Sequence, residues 1–112
     1  MAWRATTLTI LNGATRSVAL NLEENYARRM KDLTFWVGTL PETVKVYLAP
    51  AFVADPNDAS YLPLKSGGAD ITIPASSAIQ LSSIVAGGLV LVAGGAVQAD
   101  RVFTIRGSAS EE

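Results

Sequence analysis

The sequence contains no cysteine and no histidine. Without cysteine there is no disulfide framework, no thiolate zinc site and no thiol nucleophile. Without histidine the commonest general base and the commonest metal ligand are both missing. Charge is also sparse. Charged residues make up 17% of the chain, against about 25% in ordinary globular domains. Nine Lys/Arg and ten Asp/Glu leave a net charge of −1. No polybasic run and no basic–aromatic interleaving occurs, which argues against a nucleic-acid partner. The longest apolar stretch runs from 84 to 97 and is interrupted by two glycine pairs. A membrane-spanning helix needs about 20 apolar residues, so no membrane span is expected. Met1 to Thr6 has no apolar signal-peptide core, and the expectation is a soluble protein made in the cytoplasm.

What is present points to β-structure. The 112 residues suit a single domain over 1–112, with 107–112 a polar C-terminal tail. Hydrophobic residues reach 49% with nine glycines, a surface poor in charge that a partner would cover. Leu89 to Val92 is an apolar run, with β-branched Val90 and Val92, between Gly87-Gly88 and Gly94-Gly95. So short a run between glycines predicts a strand covered on both faces. Beyond Gly94-Gly95, Arg101, Phe103 and Ile105 alternate with Val102, Thr104 and Arg106, predicting a returning strand and a central hairpin.

Earlier in the chain, Asn12-Gly13 separates WRATTLTILN from TRSVALNL, the strongest short hairpin signal because both residues tolerate positive φ. Val18, Leu20 and Leu22 are predicted on one face; Ser17, Ala19 and Asn21 on the other. The segment 23–31 is the one helix candidate, against a polar strand continuation or a charged loop. Strands follow over 32–38 and 43–49, the latter with Val44, Val46 and Leu48 inward. Asp55-Pro56-Asn57-Asp58 is turn chemistry. Short strands over 70–74 and around Ile79 and Leu81 complete an all-β chain: an antiparallel β-sandwich or jelly-roll-like small barrel of seven to nine short strands.

Chemistry is thin. Asp55, Asp58, Asp70 and Asp100 are the candidate carboxylates, and nothing in their spacing pairs them. Asp55 to Asp58 lacks the glycine and the terminal glutamate of a calcium loop. The glycine pairs have no following Gly-Lys-Ser/Thr, so no phosphate cradle forms. No catalytic residue, cofactor or metal site is expected. Trp3, Trp36 and Tyr47 fall on strand faces opposite the most apolar ones. Burial under a covered outer face is the reading their size favours; a subunit contact or sugar-stacking patch is the other. Arg101 at the start of the last strand is an ion-pair or interface candidate. Trp3, Trp36, Tyr47 and Arg101 are therefore the candidate subunit or partner interface.

Val46-Tyr47-Leu48-Ala49, Asp58, Tyr61-Leu62-Pro63-Leu64, Asp70-Ile71-Thr72-Ile73, Ile79-Gln80-Leu81 and Val97 to Ile105 follow one another in a pattern. It resembles small β-sandwich structural proteins of tailed bacteriophage virions, of the head decoration (cement) or head-fibre-base kind. The resemblance spans 43–106; the glycine-rich 86–95 segment departs from it. It implies a non-enzymatic capsid decoration protein on the phage head surface, a homotrimer seated on the major capsid protein. A tail, baseplate or fibre-base domain and a carbohydrate-binding module are the alternatives.

Overall fold

The computed structural model describes residues 2–22, 30–38, 40–81 and 86–109. The chain folds into two antiparallel sheets packed face to face, an all-β sandwich. Its strands are β1 (Ala2–Ile10), β2 (Leu20–Asn21), β3 (Met30–Val37), β4 (Val44–Ala49), β5 (Leu62–Pro63), β6 (Lys65–Ser66), β7 (Ala69–Asp70), β8 (Thr72–Ile73), β9 (Ser77–Leu81), β10 (Gly88–Ala93) and β11 (Arg101–Ala109). Among the described residues these are eleven, more than the seven to nine expected, because five of them are two-residue pieces along the 62–73 segment and at β2. The first sheet has the order β1-β11-β3-β9; the second has β2-β10-β4-β5, with β8 also on β4. A small β6–β7 ladder stands apart.

Alternating apolar residues build the core between the sheets. Leu8, Ile10, Leu33, Phe35, Phe103 and Ile105 come from the first sheet; Val44, Val46, Leu89 and Leu91 come from the second. Strict period-two patterning buries one face of each strand. Phe103 and Ile105 share a buried side of β11, as its alternation predicts, and Leu33, Phe35 and Val37 are buried in β3; of the inward set expected in β4, Val44 and Val46 are buried and Leu48 is partly buried against the core.

β10 is covered on both faces, as its unbroken apolar run requires. Leu89 and Leu91 enter the inter-sheet core, while Val90 packs with Ala49 and Tyr61 in a second cluster on the outer side. The loop after β4 returns over that side. Tyr61 pins it, its hydroxyl donating to the Val53 carbonyl at 2.6 Å. Gly88 is required beneath, because a methyl there would overlap the Tyr61 hydroxyl.

Three expectations need correction. First, neither hairpin forms. β1 pairs with β11 over nine residues, and the 15–22 segment runs along β10 in the other sheet. The Asn12-Gly13 turn exists, with Ala14 N–H donating to Leu11 O at 2.8 Å and Gly13 at φ +87°. Asn12 does not share the positive φ. A type I′ hairpin turn requires it at both positions, so the chain crosses between sheets instead. Gly94-Gly95 is likewise a crossover: β10 and β11 lie in different sheets. The two crossovers meet at one corner, where Gly13 N–H donates to Val97 O and Val97 N–H to Ala14 O. Asp100 closes the corner, accepting from Asn12 N–H at 2.8 Å.

Second, Val18 does not share the face of Leu20 and Leu22. It is 66% exposed, whereas Ser17 is buried. Pairing shifts from Arg16↔Val92 to Leu20↔Leu89, so one extra residue is inserted on the 16–20 side. Ser17 occupies the bulge, its Oγ accepting from Leu91 N–H at 3.0 Å. Third, 107–112 is not all tail, because β11 continues through Ala109 with Gly107 opposite both Arg4 and Leu33. Of the helix candidate, 23–29 lies outside the described residues, and Met30 and Lys31 belong to β3.

Candidate functional site

The outer face of the β1-β11-β3-β9 sheet carries the most distinctive surface. Because Leu33, Phe35 and Val37 point into the core, Trp36 must point out, and it is 44% exposed. The same alternation in β11 turns Val102, Thr104 and Arg106 outward. Register then sets the neighbours. Thr7, Thr104, Trp36 and Ala78 lie side by side across four strands, and Thr9 lies opposite Val102.

Between Trp36 and Val102 lies a shallow, open groove of about 650 Å³. Gly38 and Ala78 contribute to its lining, and Thr104 and Ser76 supply hydroxyls. A Cβ added at Gly38 would meet nothing within 4 Å, so a side chain at that position would project into open space beside the groove. Ser76, at φ 53°, closes one end by donating its N–H to Gly38 O at 2.8 Å. Trp36 and Val102, the latter 54% exposed, make the groove apolar. None of the described residues lining it ionises. An aromatic plane with hydroxyls around it suits binding, whereas acid–base catalysis needs titratable groups.

The four candidate residues do not converge. Trp36 is at the groove. Trp3 lies in β1 opposite Ser108, and its side chain is outside those described. Tyr47 sits on the other sheet, half-buried beneath the loop that follows β4. The Arg16 guanidinium stands 5.2 Å from its ring centroid and donates to Pro56 O at 2.7 Å, tying that loop down. Arg101 is engaged within the molecule: its Nε and Nη2 donate to the two Glu42 carboxylate oxygens at 3.0 and 3.1 Å. This fork is about 85% shielded from solvent, and the Arg101 hydrogen bond holds the Glu42 carboxyl below its ordinary range.

The candidate carboxylates have structural work. Asp55 accepts from Asn57 N–H. Asp58 accepts from both the hydroxyl and the N–H of Ser60, which lowers its pKa. Asp70 bridges Lys45 and Lys65 at 2.7 Å each, which lowers its pKa too. Gly38, Ser76 and Ala78 had no sequence signal, because they become groove residues only through the β3–β9 pairing. Val102 and Thr104 were legible as outward-facing, though not as a site.

No protein-family model matches this chain, and no curated protein sequence matches it. Its fold is similar to part of the IMPa metallopeptidase of Pseudomonas aeruginosa. Against that enzyme in complex with an O-glycopeptide the TM-score is 0.53 at 20% identity, covering 96% of this chain and 13% of that one. Against the IMPa metallopeptidase in complex with T-antigen it is 0.51 at 21% identity, with the same coverage. Against a further structure of the P. aeruginosa enzyme it is 0.53 at 21% identity, covering 97% of this chain and 12% of that one. At this identity the likeness is one of fold, and this chain spans about an eighth of the enzyme's length.

Proposed function

We propose that this chain is a non-catalytic β-sandwich binding module whose outer sheet face takes a neutral glycan. The observation that carries the reading is Trp36, exposed beside an open groove on a sheet face, with Thr104 on one side and Ala78 on the other. A pyranose ring has an apolar C–H face and a polar rim. An exposed indole suits the first, and hydroxyls such as those of Thr104 and Ser76 suit the second. Two of the solved structures of similar fold are of a metallopeptidase in complex with an O-glycopeptide and with T-antigen, and the O-glycopeptide complex supports a glycan as the class of ligand.

The test is calorimetric titration of the chain with a panel of neutral oligosaccharides. Trp36→Ala should weaken binding at least tenfold, about 1.4 kcal/mol, with the melting temperature unchanged. Gly38→Leu should block the groove from above, its Cβ entering open space with nothing within 4 Å. Silence across the panel, or binding indifferent to both substitutions, sinks the reading.

The capsid-decoration reading uses the same surface. Trp36 and Val102 form an exposed apolar spot that a coat subunit would cover. On that reading Trp36→Ala weakens attachment to phage heads while the fold persists, and glycans have no effect.

A further inference from the structure

The four outermost strands of the two sheets are not alike. In the β2-β10-β4-β5 sheet both ends of the strand order are two-residue strands. Edges that short are protected from pairing with other chains. In the first sheet β9 has five residues, whereas β1 has nine. β1 reads AWRATTLTI, with no proline, no lysine and no acidic residue. Its register with β11 runs unbroken from Ala2↔Ala109 to Ile10↔Arg101. Among the described residues no element pairs with its other side. In an antiparallel ladder alternate residues turn their N–H and C=O away from the existing partner. The free side of β1 is thus a long, flat template without the usual guards of bulge, proline or lysine.

We propose that this edge is occupied by β1 of a second copy of the chain, antiparallel and centred on Thr6. The two four-stranded sheets then form one continuous sheet of eight. The strand's own sequence selects this occupant. In that register Thr6 lies opposite Thr6, Ala5 opposite Thr7 and Arg4 opposite Leu8. The one charge of β1 never meets its copy, and a symmetric contact satisfies both edges at once. The two-fold axis stands perpendicular to the sheet, so the outer faces of both copies look the same way. Five strand spacings separate one β3 from the other, which puts the two Trp36 grooves about 24 Å apart. Two weak sites on one platform bind an extended multivalent ligand more tightly than either alone. The contact does not depend on the glycan reading; only this last consequence does.

Sedimentation velocity over about 10 μM to 1 mM protein tests it. The dimer fraction should rise with concentration. Thr7→Lys should weaken association at least tenfold, because Thr7 is exposed and the two lysines would lie diagonally about 7–8 Å apart across the axis. Thr7→Ser should leave association unchanged. The chain has no cysteine, so Gln80→Cys takes one spin label on exposed β9. Pulsed EPR should then show a separation near seven strand spacings, about 34 Å. A strict monomer throughout overturns the proposal. So do a concentration-independent trimer, a dimer indifferent to Thr7→Lys, and labels within roughly 10 Å, which would mean pairing through β9.

Discussion

At the residue scale, Ser17 shows how one side chain redirects a segment. Its hydroxyl lies inside the sandwich, accepts from Leu91 N–H and donates to Val18 O at 2.9 Å. A buried donor left unpaired costs about 1–3 kcal/mol. Ser17→Ala is therefore expected to destabilise the fold by about that amount, read as a lower urea midpoint with an unchanged slope. An unaffected midpoint would mean the bulge relaxes to re-pair Leu91. The sequence places Ser17 by alternation on the polar side, and alternation fails where a residue is inserted. Trp36 is the converse case. Its outward direction was legible from Leu33, Phe35 and Val37, yet size favoured burial, and the neighbours that leave it 44% exposed come from other strands.

At the element scale, the start of β11 is fastened to the turn before β4 by Arg101 and Glu42. The Arg101 hydrogen bond lowers the folded-state pKa of Glu42 from its ordinary 4.5. A lowered carboxyl pKa stabilises the fold above the unfolded value, and the contribution disappears as pH falls through the folded value. The loss therefore begins below about pH 4.5 and grows on further acidification. Asp58 and Asp70, lowered from 3.8, add to it at lower pH. In Arg101→Gln the Glu42 share is gone, so its urea midpoint should fall less between pH 5 and pH 3 than that of the parent. Parallel curves would show that the fork contributes nothing to the acid response. β10 teaches a related lesson. Its double burial was readable from four consecutive apolar residues, but its partners were not, because Val90 meets Tyr61, nearly thirty residues earlier in the chain.

At the scale of the whole molecule, the longer ladders join distant segments: β1 with β11, β3 with β11, β3 with β9, and β10 with β4. Loop closure must precede such pairing, which slows folding. Refolding from urea is expected in the millisecond-to-second range, as for other all-β domains of high contact order. A microsecond phase carrying the full amplitude would contradict that. The crossover corner at Asn12-Gly13, Val97 and Asp100 ties together two segments far apart in the chain.

The sequence by itself determined the class of fold, because period-two burial and turn residues are local properties of a strand. It determined which faces of β3 and β11 are buried, and the absence of histidine and cysteine chemistry. Tertiary structure alone decided which strands are neighbours. Whether Asn-Gly or Gly-Gly closes a hairpin or carries the chain across to the other sheet depends on where the following segment pairs. That choice sets β11 between β1 and β3, joins Gly38, Val102 and Ala78 around Trp36, and puts β1 at the edge of its sheet among the described residues. Each of these is a relation between residues far apart in sequence, and local patterning carries no information about such relations.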